Sequence, residues 1–247
     1  MTLYPLYKGH VPYITTEQMI EVDRAMIEDY HIELIQMMEN AGRNLAHLAR
    51  KRFFEGSPQG KSVVVLAGTG GNGGGAMVCA RRLKNYGANV QVCVTAIDEK
   101  FTPVPAHQLD ILRRMNIPIM MGDTLADVLA PDLIIDGIIG YSLKGVPYGT
   151  AETMIRWANE QETPILSLDA PSGVDTTSGT VFDPAIRATA TMTLALPKAG
   201  LGQAGVEAQV GELYLADISV PPELYTKSPL NLDVPHLFVE SDIIRLK

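Results

Sequence analysis

The sequence predicts a single α/β domain, built on an open and mostly parallel β-sheet with helices on both faces. Short β-branched runs alternate with helical segments from Ser62 to about Asp217. The runs are apolar throughout, as in strands that are buried on both faces of a parallel sheet. With 247 residues, of which 46% are hydrophobic, the chain can bury one large core. We expect N-terminal helices in residues 1–60, the α/β core in residues 61–220 and an extended tail in residues 221–247.

Two helices are expected before the core. Thr15, followed by Gln18 three residues later, fits a capping box, and apolar residues then recur at helical spacing. A second helix is expected from Ile32 or Glu33 to about Phe54, with apolar residues along one face. Both helices therefore present an apolar face that has to pack against the sheet or against each other.

The core then alternates strands and helices. The expected strands are Val63–Ala67, Val90–Val94, Ile117–Met120, Leu133–Asp136, Ile165–Asp169, Ala190–Leu196 and Glu212–Ala216. The expected helices between them are Ala76–Tyr86, Pro105–Met115 and Ala151–Glu160. A glycine-rich loop, Gly68–Gly75, precedes the first of these helices, and the proline-marked segment after Pro221 is expected to run extended against the domain.

Charge and composition exclude several classes of function. The chain has 20 Lys and Arg against 28 Asp and Glu, a net charge of −8. This balance argues against non-specific binding to nucleic acids and against an anionic membrane surface, because both need a basic face, but it does not prevent a local pocket from binding an anion. No apolar run approaches the ~18 residues of a membrane span, and no secretory signal is apparent. Cys79 and Cys93 are expected to be small buried hydrophobes with reduced thiols, which fits a cytoplasmic location.

Three loops at the ends of expected strands are candidate ligand sites, because ligands of such sheets bind at the carboxyl ends of the strands. They are Gly68–Gly75, Asp136–Gly145 and Asp169–Asp175. The first loop would bring backbone amides and a helix N-terminus to a phosphate, although it lacks the Lys-Ser or Lys-Thr of a Walker A loop. The alternative for this loop is a tight turn without a ligand.

Three further patterns bear on the chemistry. The first is a formal match to the dinucleotide fingerprint G-x-G-x-x-G by Gly68, Gly70 and Gly73, with Asp98 as the candidate ribose acid.

The second is a pair of aspartates, Asp136 and Asp169, that end apolar strands as loop-organising residues or as functional acids. The third is a set of hard oxygens on Asn72, Asp136 and Ser172, which suit an alkali or alkaline-earth cation rather than zinc. No serine nucleophile elbow is present, since Ser172 lies between Pro171 and Gly173.

Four motifs, in order along the chain, make the sequence resemble the YjeF N-terminal domain family, whose enzymatic members are NAD(P)H-hydrate epimerases. They are Met38–Gly42, Leu168–Asp175, Leu196–Lys198 and Gly211–Ile218. The resemblance implies a Rossmann-like three-layer αβα sandwich and a homodimer. It also implies epimerisation of the R and S forms of hydrated NADH and NADPH (NADHX and NADPHX) at C6 of the nicotinamide ring.

The resemblance also implies roles for individual residues. Asp169 is the expected acid or base, and one potassium ion per subunit is expected on Asn72, Asp136 and Ser172. The implied substrate-binding residues are Asn40, Gly71, Asn72, Gly73, Gly74, Gly75, Gly140, Tyr141, Ser142, Leu143, Lys144, Gly145, Val146 and Asp169. A separate dehydratase is expected to act in the same repair pathway, because 247 residues leave no room for that second domain.

The glycine-rich loop departs from the family pattern. Gly71 and Gly75 stand where relatives carry Asn and Asp, and Ala76 stands where they carry Gly. The alternative hypothesis that this departure suggests is a degenerate, non-catalytic nucleotide-binding or scaffold module.

A third hypothesis is an NAD-dependent oxidoreductase. Only the fingerprint match and Asp98 motivate it, and the sequence lacks an evident Tyr-x-x-x-Lys or histidine catalytic pair.

Overall fold

The computed structural model describes residues 4–128 and 130–247. Its eight strands are β1 (Ser62–Ala67), β2 (Asn89–Val94), β3 (Ile119–Met121), β4 (Leu133–Gly137), β5 (Ile165–Leu168), β6 (Ala190–Leu194), β7 (Glu212–Ala216) and β8 (Ile243–Arg245). They form one sheet in the order β3-β2-β1-β4-β5-β6-β7-β8. All neighbouring pairs are parallel except β7 with β8. The strand order reverses between β1 and β4, which is where such sheets bind ligands.

Helices cover both faces of the sheet, which confirms the predicted α/β architecture. They are α1 (Thr16–Glu28), α2 (Leu34–Phe53), α3 (Gly71–Asn85), α4 (Pro103–Arg114), α5 (Thr150–Glu160), α6 (Glu207–Val210) and α7 (Pro222–Thr226). Within β1, Val63 and Val65 pack with α2, α3 and α4, whereas Val64 and Leu66 pack with α5. This alternation explains why the strand is apolar throughout, since each face of the sheet needs its own core.

The first helix begins as the sequence predicts. Thr15 Oγ1 accepts a hydrogen bond from the backbone of Gln18, and Gln18 Oε1 accepts one from the backbone of Thr15, which completes the capping box. Its buried residues include Met19, Val22 and Met26, which join the apolar cluster formed with α7 and the C-terminal tail.

Two predictions of local structure are wrong. Helix α3 begins at Gly71, five residues before the expected start at Ala76, so Gly71–Gly75 is helix rather than loop. Glycine lowers helix propensity, but tight packing overrides it here: a Cβ on Gly74 would lie 2.4 Å from Met38 Sδ. The C-terminal tail is not simply extended either, because it contains α7 and adds β8 antiparallel to β7 at the sheet edge.

No helix in residues 4–128 and 130–247 combines the length and the apolar character of a membrane span.

Cys79 and Cys93 are both free and buried, as the sequence predicts. Burial raises the pKa of both thiols, that of Cys93 to about 12.

We expect neither cysteine to react with a thiol reagent in the native protein at pH 8, because the thiolate is the reactive form. Both should react in 6 M guanidinium. The measurement is the absorbance released by an aromatic disulfide reagent, with free cysteine as the control. Fast labelling of the native protein would contradict the buried positions on α3 and β2.

Candidate active site

A cavity of about 340 Å³ opens at the carboxyl ends of the strands, between the sheet and helices α1 and α2. Its lining is largely apolar, with a few polar groups that converge from different elements. The lining residues are Met19, Asp23, Ile27, Leu34, Met37, Met38, Ala41, Gly71, Asn72, Gly75, Gly140, Tyr141, Ser142, Leu168, Asp169, Leu194 and Ile218. An apolar cavity with a few convergent polar groups at the switch point of the sheet is the arrangement expected of a small-molecule site.

Asp169 follows β5 directly, and its backbone is unusual. Its φ of +64° lies in the left-handed region, which few residues other than glycine adopt. Its amide donates to the carbonyl of Met192 at 2.7 Å. A strained backbone that is held in place by its surroundings is a frequent feature of functional sites. Here it fixes the position from which the Asp169 carboxylate enters the cavity.

Lys198 is the counter-charge of this carboxylate. Its side chain is fully buried, its Nζ lies 2.5 Å from Asp169 Oδ1, and it also donates to the carbonyl of Leu194 at 2.8 Å. The lysine belongs to the segment after β6, so the two ends of neighbouring strands are joined by an ion pair. A buried pair of this kind is costly to break, because the remaining charge is left without compensation.

Tyr141 connects the strand-end wall of the cavity to helix α1. Its backbone amide donates to Asp169 Oδ2 at 3.2 Å, and its hydroxyl donates to Asp23 Oδ2 at 2.5 Å. Burial raises the pKa of Asp23, while the Tyr141 hydrogen bond and the Lys198 charge act in the opposite direction. The cavity thus holds two carboxyl groups in different electrostatic surroundings.

The N-terminus of α3 forms another part of the lining. Apart from its chain neighbours and its own helix backbone, a Cβ on Gly71 would meet no described atom within 4 Å, so the backbone is open to the cavity there. Asn72 Nδ2 is buried without a hydrogen-bond partner within the described part of the chain. Gly140 lies beside it, since a Cβ on Gly140 would lie 3.1 Å from Asn72 Oδ1 and 3.2 Å from Asp169 Oδ2. A helix N-terminus with a free amide donor favours an anionic or carbonyl-bearing ligand.

Asp136, Ser167 and Ser172 form a separate buried group of polar side chains near the ends of β4 and β5, called the Asp136 cluster below. The Asp136 carboxylate accepts hydrogen bonds from the hydroxyls of Ser167 and Ser172 at 2.8 and 2.6 Å. It also accepts from the amides of Ser172 and Ile138 at 2.9 and 3.2 Å. All four donors are neutral, and no ion pair to Asp136 occurs in residues 4–128 and 130–247. Burial raises the pKa of this carboxyl group.

Some predicted site residues lie outside the lining of the described cavity. Asn40 is partly buried and absent from the lining, although its neighbours Met38 and Ala41 contribute to it. Gly73 and Gly74 are buried within α3 and pack against other parts of the chain. The loop beyond Ser142 also lies outside; of its residues Leu143, Lys144, Gly145 and Val146, the last three are exposed.

The candidate ribose acid does not reach this cavity. Asp98 lies on the surface and pairs with Arg113 at 2.5 Å, and this hydrogen bond lowers the pKa of the carboxyl group. The glycines that match the dinucleotide fingerprint are therefore not accompanied by Asp98 as the ribose-binding acid of a conventional NAD site.

Sequence reasoning missed Asp23 and the role of Lys198. The spacing of Met19, Asp23 and Ile27 places all three on one face of α1, so an aspartate on an otherwise apolar face was the available signal. Lys198 appeared only as a motif landmark. Its contact with Asp169 depends on how the segments after β5 and β6 turn, which residue spacing does not reveal.

The fold and the cavity define an α/β protein with a small-molecule site at the switch point of its sheet. Residues 34–200 match the family described as YjeF-related protein N-terminus. The chain belongs to this family, and the resemblance drawn from its motifs is confirmed.

Curated relatives and a solved structure agree with this membership. The chain is 40% identical to an NAD(P)H-hydrate epimerase of Dehalogenimonas lykanthroporepellens, over 94% of this chain and 92% of the relative. It is 33% identical to a bifunctional NAD(P)H-hydrate repair enzyme of Moorella thermoacetica, but covers only 42% of that protein. The crystal structure of yeast ynu0 superimposes with a TM-score of 0.82 at 25% identity, covering 96% of this chain and 100% of the yeast chain.

Proposed function

We propose that this protein is an NAD(P)H-hydrate epimerase, which interconverts the R and S forms of hydrated NADH and NADPH at C6 of the nicotinamide ring. Its role is the repair of damaged nicotinamide nucleotides. Several relatives carry this name, and the alignment with one of them, from Dehalogenimonas lykanthroporepellens, covers 92% of that relative's length. The observation that carries the proposal is the Asp169 carboxylate, held at the cavity by Lys198 on one oxygen and by the Tyr141 amide on the other.

The reaction needs a group that handles one proton at the C6 hydroxyl. The ring nitrogen N1 expels the hydroxyl, the C6–O bond breaks, and a proton delivered to the leaving oxygen releases water. Water then adds to C6 of the resulting iminium on either face, its electron pair forms the new C6–O bond, and a carboxylate takes the surplus proton. Asp169 is placed for this general acid–base work, and no redox change occurs.

Binding has to offset the negative charge of both partners. The protein carries a net charge of −8, and the dinucleotide is an anion, so attraction has to be local. The N-terminus of α3 at Gly71 and the free amide of Asn72 supply donors, while Met38 and Leu168 give the nicotinamide ring an apolar wall. The hydrophobic walls also restrict water around the reacting carbon.

The decisive test mixes purified protein with a single epimer of NADHX and follows both epimers by chromatography. We expect conversion well above the spontaneous rate and a loss of about 10²-fold or more in Asp169→Ala. Glu28→Gln, an acidic residue exposed on α1, is the matched control and should keep the wild-type rate. Conversion no faster than the spontaneous rate would refute the proposal. Tight nucleotide binding without conversion would instead identify the non-catalytic module that the Gly71 and Gly75 departures suggest.

Potassium is the cation that we propose for the Asp136 cluster, one per subunit, with Asn72, Asp136 and Ser172 as its side-chain ligands. The residues fit a monovalent cation. The Asp136 carboxylate is buried and has no counter-charge among the residues that the structure describes, and the hydroxyls of Ser167 and Ser172 can turn their protons away to present lone pairs. When bound, the ion would neutralise this carboxylate beneath the α3 N-terminus. The protein's own part is to hold the oxygens in place.

Potassium chloride at 100 mM should therefore raise the melting temperature above that in tetramethylammonium chloride of equal ionic strength. Stabilisation follows from binding to the folded state alone. Asp136→Asn should abolish the difference between the two salts, because it removes the charge that the ion neutralises. Equal melting temperatures for the wild-type protein in both salts would contradict the site.

Two further proposals concern the oligomeric state of the protein and the second enzyme of the repair pathway. We propose a homodimer, and we also propose that a separate NAD(P)HX dehydratase acts in the same pathway. The bifunctional NAD(P)H-hydrate repair enzymes among the relatives support the second of these proposals. Light scattering of the purified protein measures the first. A cytoplasmic location stays a prediction from the sequence.

A further inference from the structure

Asp23 is a second carboxyl group at the cavity, on the wall formed by α1. It lies between Met19 and Ile27 on the face of α1 that lines the cavity. A carboxyl group on such an apolar face loses hydration, and a solvent-facing position on the same helix would avoid that cost. The group therefore needs an explanation beyond the stability of the helix.

One tyrosine joins Asp23 to the carboxylate already described. The Tyr141 hydroxyl donates to Asp23 Oδ2 at 2.5 Å, and the Tyr141 amide donates to Asp169 Oδ2 at 3.2 Å. The two carboxyl groups consequently face one cavity from two walls, separated by the length of a single tyrosine residue. A nicotinamide ring between them would have one carboxyl group near each face.

The two groups differ in their electrostatic surroundings. Asp169 has the Lys198 ammonium 2.5 Å away, whereas no ion pair to Asp23 forms within residues 4–128 and 130–247. Asp23 faces Tyr141, Lys198 and Asp169, and it also acts on Tyr225 from α7. Loss of hydration is the largest influence on Asp23, and it raises the pKa of the carboxyl group. Paired titratable groups in contrasting surroundings are the usual arrangement of an acid and a base.

We propose that Asp23 is a second catalytic residue, which transfers a proton on the face of the nicotinamide ring opposite to the face served by Asp169. This inference rests on the proposed epimerase function and assigns one carboxyl group to each epimer. Epimerisation requires hydroxide to leave from one face and water to return to the other, so a group on each face serves both directions of the reaction.

The proton balance is simple. With the C6 hydroxyl on the Asp23 side, protonated Asp23 gives its proton to the leaving oxygen as the C6–O bond breaks and the N1 lone pair forms the N1=C6 bond. A second water attacks C6 from the Asp169 side, the N1=C6 electron pair returns to N1, and the Asp169 carboxylate takes one proton from that water. One water leaves and one enters, one proton passes from Asp23 to Asp169, and exchange with solvent restores the starting state.

Oxygen exchange separates the two faces experimentally. Each epimer of NADHX is incubated in ¹⁸O-labelled water, and both label uptake at C6 and conversion to the other epimer are measured. We expect Asp23→Asn and Asp169→Asn each to lose about 10²–10⁴-fold in epimerisation. Each variant should still exchange oxygen in one epimer only, and that epimer should differ between the two variants. Glu28→Gln on the same helix is the control with wild-type behaviour.

The outcomes distinguish the inference from the proposed function. A wild-type protein without epimerisation refutes both. A wild-type enzyme whose folded Asp23→Asn variant epimerises normally, or loses exchange equally in both epimers, refutes the role of Asp23 alone. Should Asp23→Asn fail to fold, Asp169→Asn alone decides: it must retain exchange in one epimer, and loss of exchange in both overturns the proposal.

Discussion

Replacing Lys198 with methionine should lower the free energy of unfolding by about 3–5 kcal/mol and reduce epimerisation to the spontaneous rate. The methionine has a similar volume, so the loss is electrostatic rather than a matter of packing. The change leaves Asp169 as a buried carboxylate without the ammonium 2.5 Å from its Oδ1, and the carbonyl of Leu194 loses its donor. Urea unfolding measures the first effect, and chromatography of the NADHX epimers measures the second.

Two controls make the Lys198 result specific. Lys61 also pairs with an aspartate, Asp132 at 3.2 Å, but both side chains are more than two-fifths exposed. Because exposed pairs contribute about 0–1 kcal/mol, Lys61→Met should change stability little. The double variant Lys198→Met/Asp169→Asn removes both buried charges, so it should recover much of the stability while remaining inactive; asparagine also tolerates the positive φ at this position. A single variant as stable as the wild-type protein would refute the importance of the pair.

The order and type of the elements could be predicted from the sequence, because buried parallel strands and amphipathic helices have distinct periodicities. The strand order, with β1 beside both β2 and β4, then follows from the general rules of α/β folds. The start of α3 could not be predicted, since propensity argues against a helix at Gly71–Gly75. Its glycines are accommodated by contacts with α2, with Gly68 just after β1 and with Leu168 at the end of β5, which lie far apart in sequence from one another.

Part of the candidate site could also be predicted from the order of the strands and helices. Residues at strand ends meet at one edge, so Asn72, Tyr141 and Asp169 could be expected to converge, and the structure places all three at the cavity. Asp23 and Lys198 lie outside the glycine-rich loops, and their contacts depend on how α1 and the segment after β6 lie against the sheet. Local patterns carry no information about such tertiary distances.

Gly73→Ala should be the most damaging single methyl addition in the strand-to-helix turn, with a loss of at least about 3 kcal/mol in the free energy of unfolding. A Cβ at position 73 would lie 1.9 Å from the carbonyl oxygen of Gly68 and 2.8 Å from its nitrogen. These are backbone atoms of the β1 end, which is itself pressed against Ile138, so no flexible side chain can move aside. The turn would have to open and displace Asn72 from the cavity.

Gly71→Ala is the matched control, two positions away in the same turn. Its Cβ would meet no other part of the described chain within 4 Å, and alanine is the better helix former. The variant should therefore be as stable as the wild-type protein or more stable by up to about 1 kcal/mol. Chemical unfolding of both variants measures the contrast, and equal stabilities would contradict the close approach of β1 and α3. The contrast between the two variants also distinguishes glycines that the packing requires from a glycine that it does not require. Backbone packing requires glycine at positions 68 and 73 whether or not a phosphate binds, whereas packing does not require glycine at position 71, which lines the cavity.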